Sequence, residues 1–295
     1  MVNLSAALGP MRRGAGDPCF RFDGGVVWRA IRTPAGAATM RLSVVPADGA
    51  VDAGAWGPGA AWALETLPAL LGAGDDVAGF VPHHPVIREA WRRHAGWRVP
   101  RTGLVLEALA PAVLEQKVTG HEAWRGWRLL VRRYGEPAPG PEEARGLGLR
   151  VPPAPDVWAR VPSWEWHRAG VDQTRSRTVV RAASVAGRLE QITDLAHDEA
   201  AARLRSLPGV GVWTAAEVAQ RALGDPDAVS VGDFHLAGQV GWALIGEKVD
   251  DDGMLELLEP YRGHRYRAVR MIELSGVALP PRRGPRFAGR DFRAM

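Results

Sequence analysis

The sequence predicts a mainly α chain that opens with a small α+β unit. Two observations carry this. Residues 18–56 alternate apolar and polar positions between turn signals, as half-buried strands do. After Val99-Pro100-Arg101 the spacing becomes helical and stays so almost to the end. With 295 residues, 46% of them hydrophobic, the chain can build a sizeable core in two domains or one large one.

Taken in order, residues 1–16 are small and aperiodic and read as flexible. Strands over 19–22 and 26–31 flank Asp23-Gly24-Gly25, a hairpin turn, and strands over 39–45 and 50–56 follow. Helices are expected over 60–71 and 85–94, which completes an α+β domain over 1–97. The helical domain covers 98–280, in one or two lobes. Its helices are expected over 103–118, 121–134, 164–170, 173–189, up to Leu204, 212–223, from near Asp233, 254–261 and 264–275. Asp194 is placed to cap the helix that runs to Leu204. The stretch 135–155, rich in proline and glycine, reads as a loop, and 281–295 as a loose basic tail. No internal repeat is visible.

Composition bounds the function classes. Formal net charge is +4, and Lys117 and Lys248 are the only lysines; every other basic side chain except histidine is arginine. Arginine forks suit phosphate, although a GC-rich genome gives the same bias, so the charge alone is weak support for an anionic partner. The single cysteine, Cys19, excludes a disulfide framework and any four-cysteine zinc or iron–sulfur site. Residues 1–16 lack a signal-peptide core, and no apolar run is long enough for a bilayer. The expectation is a cytoplasmic, bacterial-type protein without a membrane partner.

The most informative segment is Leu207-Pro208-Gly209-Val210-Gly211-Val212-Trp213-Thr214. It reads as a tight turn that opens a helix. Glycine leaves backbone amides uncovered, and a helix start offers unpaired N–H groups at its positive end. Such a turn either connects two core helices or cradles a phosphate. It is a poor dinucleotide fingerprint, since Thr214 stands in place of the third glycine, and it lacks the lysine of a phosphate-binding P-loop. Downstream, Val231-Gly232-Asp233-Phe234-His235-Leu236 sets a carboxylate at another helix start. Asp233 is an ordinary N-cap, a working carboxylate, or both, because capping would fix its orientation. His235 and Asp225 are weaker candidates.

The string Leu207-Pro208-Gly209-Val210-Gly211, with Thr214-Ala215, resembles the signature of the helix–hairpin–helix DNA glycosylase superfamily. The resemblance implies that hairpin amides from Leu207 to Thr214 (Leu207, Gly209, Val210, Gly211, Thr214) grip a phosphate of damaged double-stranded DNA, often with a monovalent cation at the hairpin backbone. It also implies that Asp233 is the catalytic carboxylate. Breaking a base–sugar bond builds positive charge on the deoxyribose, which a held anion stabilises. Bifunctional members carry a lysine where this chain has Trp213, so a monofunctional enzyme without lyase activity is implied. Trp213 and Thr214-Ala215 resemble the alkylbase subgroup, the AlkA-like 3-methyladenine DNA glycosylase II type. There an aromatic pocket takes cationic alkylated purines; on its own, Trp213 fits core packing equally well.

The resemblance spans most of the chain. Arg98-Val99-Pro100, Glu115-Gln116-Lys117-Val118-Thr119 and Pro260-Tyr261-Arg262 resemble subgroup junctions, and the N-terminal part resembles its TATA-binding-protein-like domain. Lys117 stands at the place of the apolar wedge that fills the duplex after base flipping, with Gln116 beside it. Either the lysine stem fills the gap, or another residue does. Glu217 replaces a frequent pocket tyrosine; it would receive a base amino group or stand solvated. Phe234 keeps an aromatic beside Asp233. No metal or organic cofactor is implied, and a monomer is expected. A glycosylase for deaminated or oxidised bases, or a catalytically silent damage-binding protein, are the competing readings.

Overall fold

A computed structural model describes residues 2–45, 47 and 49–277. The expected tail over 281–295 and the end of the helical domain at 278–280 lie outside the described residues. Four strands, β1 (Phe20–Asp23), β2 (Val26–Thr33), β3 (Gly36–Val45) and β4 (Ala50–Trp56), form an antiparallel meander in the order β1-β2-β3-β4. The Asp23-Gly24-Gly25 turn sets the first register, Phe20 opposite Arg29 and Asp23 opposite Val26. The buried face, including Phe20, Val27, Ile31, Met40 and Leu42, packs on Leu4, Leu8, Ala63 and Leu70.

The N-terminus corrects the expectation of flexibility. Residues Leu4–Leu8 form a short helix, α1, capped by the Asn3 side chain, whose Oδ1 accepts from the Ala6 N–H at 3.0 Å. Leu8 is fully buried. One helical turn is too short to show periodicity, and alanine-rich turns pack closely without a conspicuous apolar stripe. From there the segment bridges several bodies. Trp97 and Arg270 both donate to Ala6 O (3.3 and 3.2 Å), Arg221 donates to Pro10 O (3.2 Å), and Arg13 pairs with Glu115.

The expected 60–71 helix divides into α2 (Ala60–Glu65) and α3 (Leu67–Leu70). Pro68 lacks the N–H that would continue the ladder, and Thr66 bonds back to Trp62 O. Helix α4 (Pro85–Arg93) follows; it packs on the last helix rather than on the sheet. The helical part contains α5 (Val105–Leu114) and α6 (Gly120–Tyr134). The expected 135–155 loop instead holds β5 (Glu136–Pro137), α7 (Glu142–Gly146) and β6 (Arg150–Val151), and α8 (Pro155–Arg160) begins on its last proline. Then come α9 (Ser163–Arg168), α10 (Gln173–Ser184), α11 (Ala186–Glu190), α12 (His197–Arg205), α13 (Val212–Val218), α14 (Leu236–Ile245), α15 (Asp251–Leu258) and α16 (Arg265–Ser275). Asp194 does not cap α12: it ends a 3₁₀ turn, and Ala196 occupies the cap position without a side-chain bond.

Two helical cores result. One gathers α5, α6 and α8 to α13, around Leu109, Val113, Trp158, Leu204 and Val218. The other gathers α4 and α14 to α16, around Ile87, Val240, Met254, Leu258 and Ile272. After α13 the chain widens into a π-type turn over Ala219–Leu223, leaves through Gly224 in the left-handed region (φ 70°), and crosses between the cores to α14. That crossing carries Asp233.

Candidate active site

The turn between α12 and α13 is the predicted hairpin. Gly209 has φ 95°, where residues with a Cβ are strained, and a Cβ there would lie 2.0 Å from Thr178 Oγ1 on α10. Close approach to α10 therefore requires this glycine. Gly211 differs: its φ of −94° suits any residue, and a Cβ there would meet nothing within 4 Å. What its lack of side chain does is leave the amides uncovered. The Val212, Trp213 and Thr214 amides open α13 and have no intrahelical partner. Leu207 and Val210 are buried and hold the turn on the first core, while Gly209, Gly211 and Val212 face solvent.

Carbonyls of the turn accept hydrogen bonds at Leu207, Pro208 and Gly209. Val210 N donates to Leu207 O, Arg181 to Pro208 O at 3.4 Å, and Gln116 to Gly209 O at 2.9 Å.

Gln116 is a brace. Its Nε2 donates to Thr214 Oγ1 (2.8 Å) as well as to Gly209 O, which leaves Lys117 as the outward side chain of the turn. Lys117 is exposed and is, among the described residues, the non-glycine residue with positive φ (55°). Strain of this kind persists only where the surroundings hold it, and here they do. Arg175, buried, donates to Leu114 O (2.8 Å) just before the turn; Glu115 accepts from Arg13 and Trp124 (both 3.2 Å); Thr119 and Glu122 form a reciprocal capping box just after it. The Thr119–Glu122 box is a local Thr-x-x-Glu spacing, whereas Arg175 reaches Leu114 across 61 positions and Arg13 reaches Glu115 across 102, which no local pattern shows.

Asp233 lies across from the hairpin. Its Oδ1 accepts from the His235 and Leu236 amides (2.8 and 3.0 Å), and its Oδ2 accepts from the Trp213 indole N–H at 3.2 Å. The capping role and the proximity to Trp213 thus coexist. Three N–H dipoles converge on one carboxylate and fix its direction.

Glu217 corrects both sequence alternatives. It is neither solvated nor open to a ligand. Its Oε1 accepts from the Ser230 hydroxyl (2.6 Å), and its Oε2 pairs with Arg221 (2.8 Å). Gln220 also donates to Ser230 Oγ, and Ser230 O accepts from the Asp233 N–H at 3.2 Å. Glu217 thereby anchors the crossing that carries Asp233. Phe234 is 75% exposed, edge-on to His235. Asp225 and His197 pair at 3.5 Å away from this centre, with burial pushing the Asp225 carboxyl up. Behind the site, a cavity of about 40 Å³ lined by Arg13, Asp17, Glu107 and Arg221 has room for a water or two, not a purine.

No family model matches the chain. A relative from Mycobacterium tuberculosis, named "Probable bifunctional transcriptional activator/DNA repair enzyme AlkA", is 32% identical over 174 residues, 58% of this chain and 32% of its own length. The chain thus spans about a third of the length of the curated relatives it matches. Among solved structures, the 3-methyladenine DNA-glycosylase from Archaeoglobus fulgidus superposes with a TM-score of 0.71 at 18% identity, covering 93% of this chain and 95% of its own. The chain is thus similar in sequence to an AlkA-type repair enzyme over 58% of its length and shares its fold with a 3-methyladenine DNA-glycosylase. The fold is shared more widely. The 8-oxoguanine glycosylase/lyase of Clostridium acetobutylicum matches with a TM-score of 0.70 at 11% identity over 93% of both chains, and that enzyme is also known with double-stranded DNA bound. In this chain the N-terminal α+β part is the four-stranded meander with α1 to α3.

Proposed function

We propose that this chain is a monofunctional DNA glycosylase that flips out alkylated purines of the 3-methyladenine type and hydrolyses the N-glycosidic bond. The observation that carries the reading is the Asp233 carboxylate, held by three donors beside a hairpin whose exposed amides suit a phosphate. Trp213 stands where a lyase would need its lysine.

The chemistry follows from charge. The hairpin amides hold the DNA backbone. Lys117, presented at the tip of a braced turn, enters the space the nucleotide leaves, its stem in the stack and its ammonium toward phosphate. The base lies beside the Trp213 ring, with exposed Phe234 available for its other side. As the C1′–N bond breaks, its electron pair goes to the purine. A cationic alkylpurine therefore leaves neutral and needs no proton from an acid. The positive charge left on the sugar faces Asp233, and water then bonds to C1′ and loses its proton. Preorganised stabilisation of this kind contributes about 10²–10³ in rate. The reading includes a monomer acting on double-stranded DNA in the cytoplasm.

The test is product analysis. The purified chain is incubated with DNA treated with a simple methylating agent; free bases are identified by mass spectrometry, and strand integrity is followed on a denaturing gel. Release of methylpurines with intact abasic strands is expected. Strand cleavage at the abasic sites would overturn the monofunctional part, and no base release would overturn the alkylpurine reading.

A further inference from the structure

Helix α10 lies directly under the hairpin: Thr178 fills the space a Gly209 Cβ would occupy, and Arg181, one turn on, donates to Pro208 O. Arg177 stands four residues before Arg181, on the same side of the helix. Both guanidinium groups are exposed, and neither has a carboxylate partner among the described residues. The acid that caps this helix, Asp172, is committed to Arg175. Leading into the hairpin, Arg203 and Arg205 at the end of α12 are likewise exposed and without an ion pair among the described residues. The hairpin therefore sits at the edge of an arginine field, not in isolation.

We propose that Arg177 and Arg181 form a second phosphate-binding element, which takes backbone phosphates of the DNA strand next to the one held by the hairpin amides. The assignment rests on the DNA reading above and adds the residues that extend the footprint along α10. The physical requirement is met on three counts. The groups are forks suited to phosphate oxygens. Arg181 is already oriented by the Pro208 carbonyl, so little side-chain freedom is lost on binding. Backbone contacts of this kind position the protein without reading sequence, as a search for scattered lesions requires.

Counterion release makes the proposal measurable. Each neutralised phosphate contributes about 0.9 to the slope of log affinity against log salt. Binding of a duplex carrying one uncharged abasic analogue is followed by fluorescence anisotropy between about 50 and 200 mM salt, the range over which each contact accounts for about 3.5-fold in affinity. The proteins are the parent chain, Arg177→Gln, Arg181→Gln, the double variant and Arg132→Gln. The last removes an exposed charge at the far end of α6, in a groove beside Glu165. Glutamine retains a donor for Pro208 O, so a merely structural Arg181 would leave the slope unmoved. The expected slopes fall by about 0.9 in each single variant and about 1.8 in the double, with Arg132→Gln like the parent. Parent-like slopes in Arg177→Gln and Arg181→Gln, with the parent binding normally, overturn this assignment alone. A parent that shows no salt-dependent binding overturns the DNA reading and this with it.

Discussion

Replacing Trp213 by phenylalanine separates two roles that the indole combines. The ring remains as an aromatic surface for a base, while the N–H that donates to Asp233 Oδ2 is lost. The other two donors, the His235 and Leu236 amides, act on Oδ1 and stay in place. A hydrogen bond to a charged group contributes about 1.5–3 kcal/mol net, and at 3.2 Å this one belongs at the lower end. If the bond serves to aim the carboxylate at the sugar, the loss appears in the transition state. About 1–2 kcal/mol then lowers the excision rate roughly 5- to 30-fold. The assay is single-turnover base release with enzyme in excess, accompanied by the affinity for the same duplex. A fall in rate with affinity nearly unchanged is expected. A rate within twofold of the parent would refute the positioning role of the indole, and an equal fall in affinity would assign Trp213 to base binding alone.

The two hairpin glycines should part company. Gly209→Ala meets both a left-handed backbone and Thr178, so a lower melting temperature and weaker DNA binding are expected. Gly211→Ala should melt like the parent yet bind DNA less well, because its methyl only covers the amides; a clear loss of stability would contradict the open space there. Arg13→Ala leaves Glu115, half-buried, with Trp124 as a donor but no counter-charge, and should destabilise by about 3 kcal/mol, read by urea unfolding. Glu190 caps the start of α5 through Val105 and Leu106, and burial pushes its carboxyl above the usual 4.5. With a raised folded pKa, the native state binds the extra proton, so this group's contribution is full below the ordinary value and is lost as pH rises through the folded one. Melts of the parent and Glu190→Gln over that window should show the shallower decline in the variant. Parallel pH profiles would contradict the raised carboxyl.

Much of this was legible because local signals and tertiary structure agree. The β1–β2 hairpin follows from Asp23-Gly24-Gly25 between alternating strands, and the helical hairpin from glycines at a turn between apolar faces. Asp233 was legible by type and place, and its neighbour Trp213 through the same motif. Other features depend on partners distant in sequence. Glu217 looked like a surface or pocket residue because its partner Ser230 lies 13 residues on, across the chain's crossing between cores. Gln116 was read beside Lys117 as a wedge candidate, yet it faces the hairpin, because its acceptors are 93 and 98 residues away. The α1 turn was invisible to periodicity, since its burial comes from the sheet and from Trp97 and Arg270, not from its own length. Phe234 carries an aromatic next to the carboxylate as expected, but its 75% exposure makes it a surface side chain rather than a wall of an enclosed pocket.

The central claim is that an anion at residue 233, held toward the hairpin, drives base release. The most direct measurement is the single-turnover excision rate of Asp233→Asn against the parent on a duplex carrying one alkylated purine, with affinity for that duplex measured in parallel. Asparagine keeps the size and can still accept from the His235 and Leu236 amides, while the charge is gone. The expected result is a fall in rate of at least about 10²-fold with affinity within a few-fold of the parent. Excision by Asp233→Asn at the parent's rate would contradict the account.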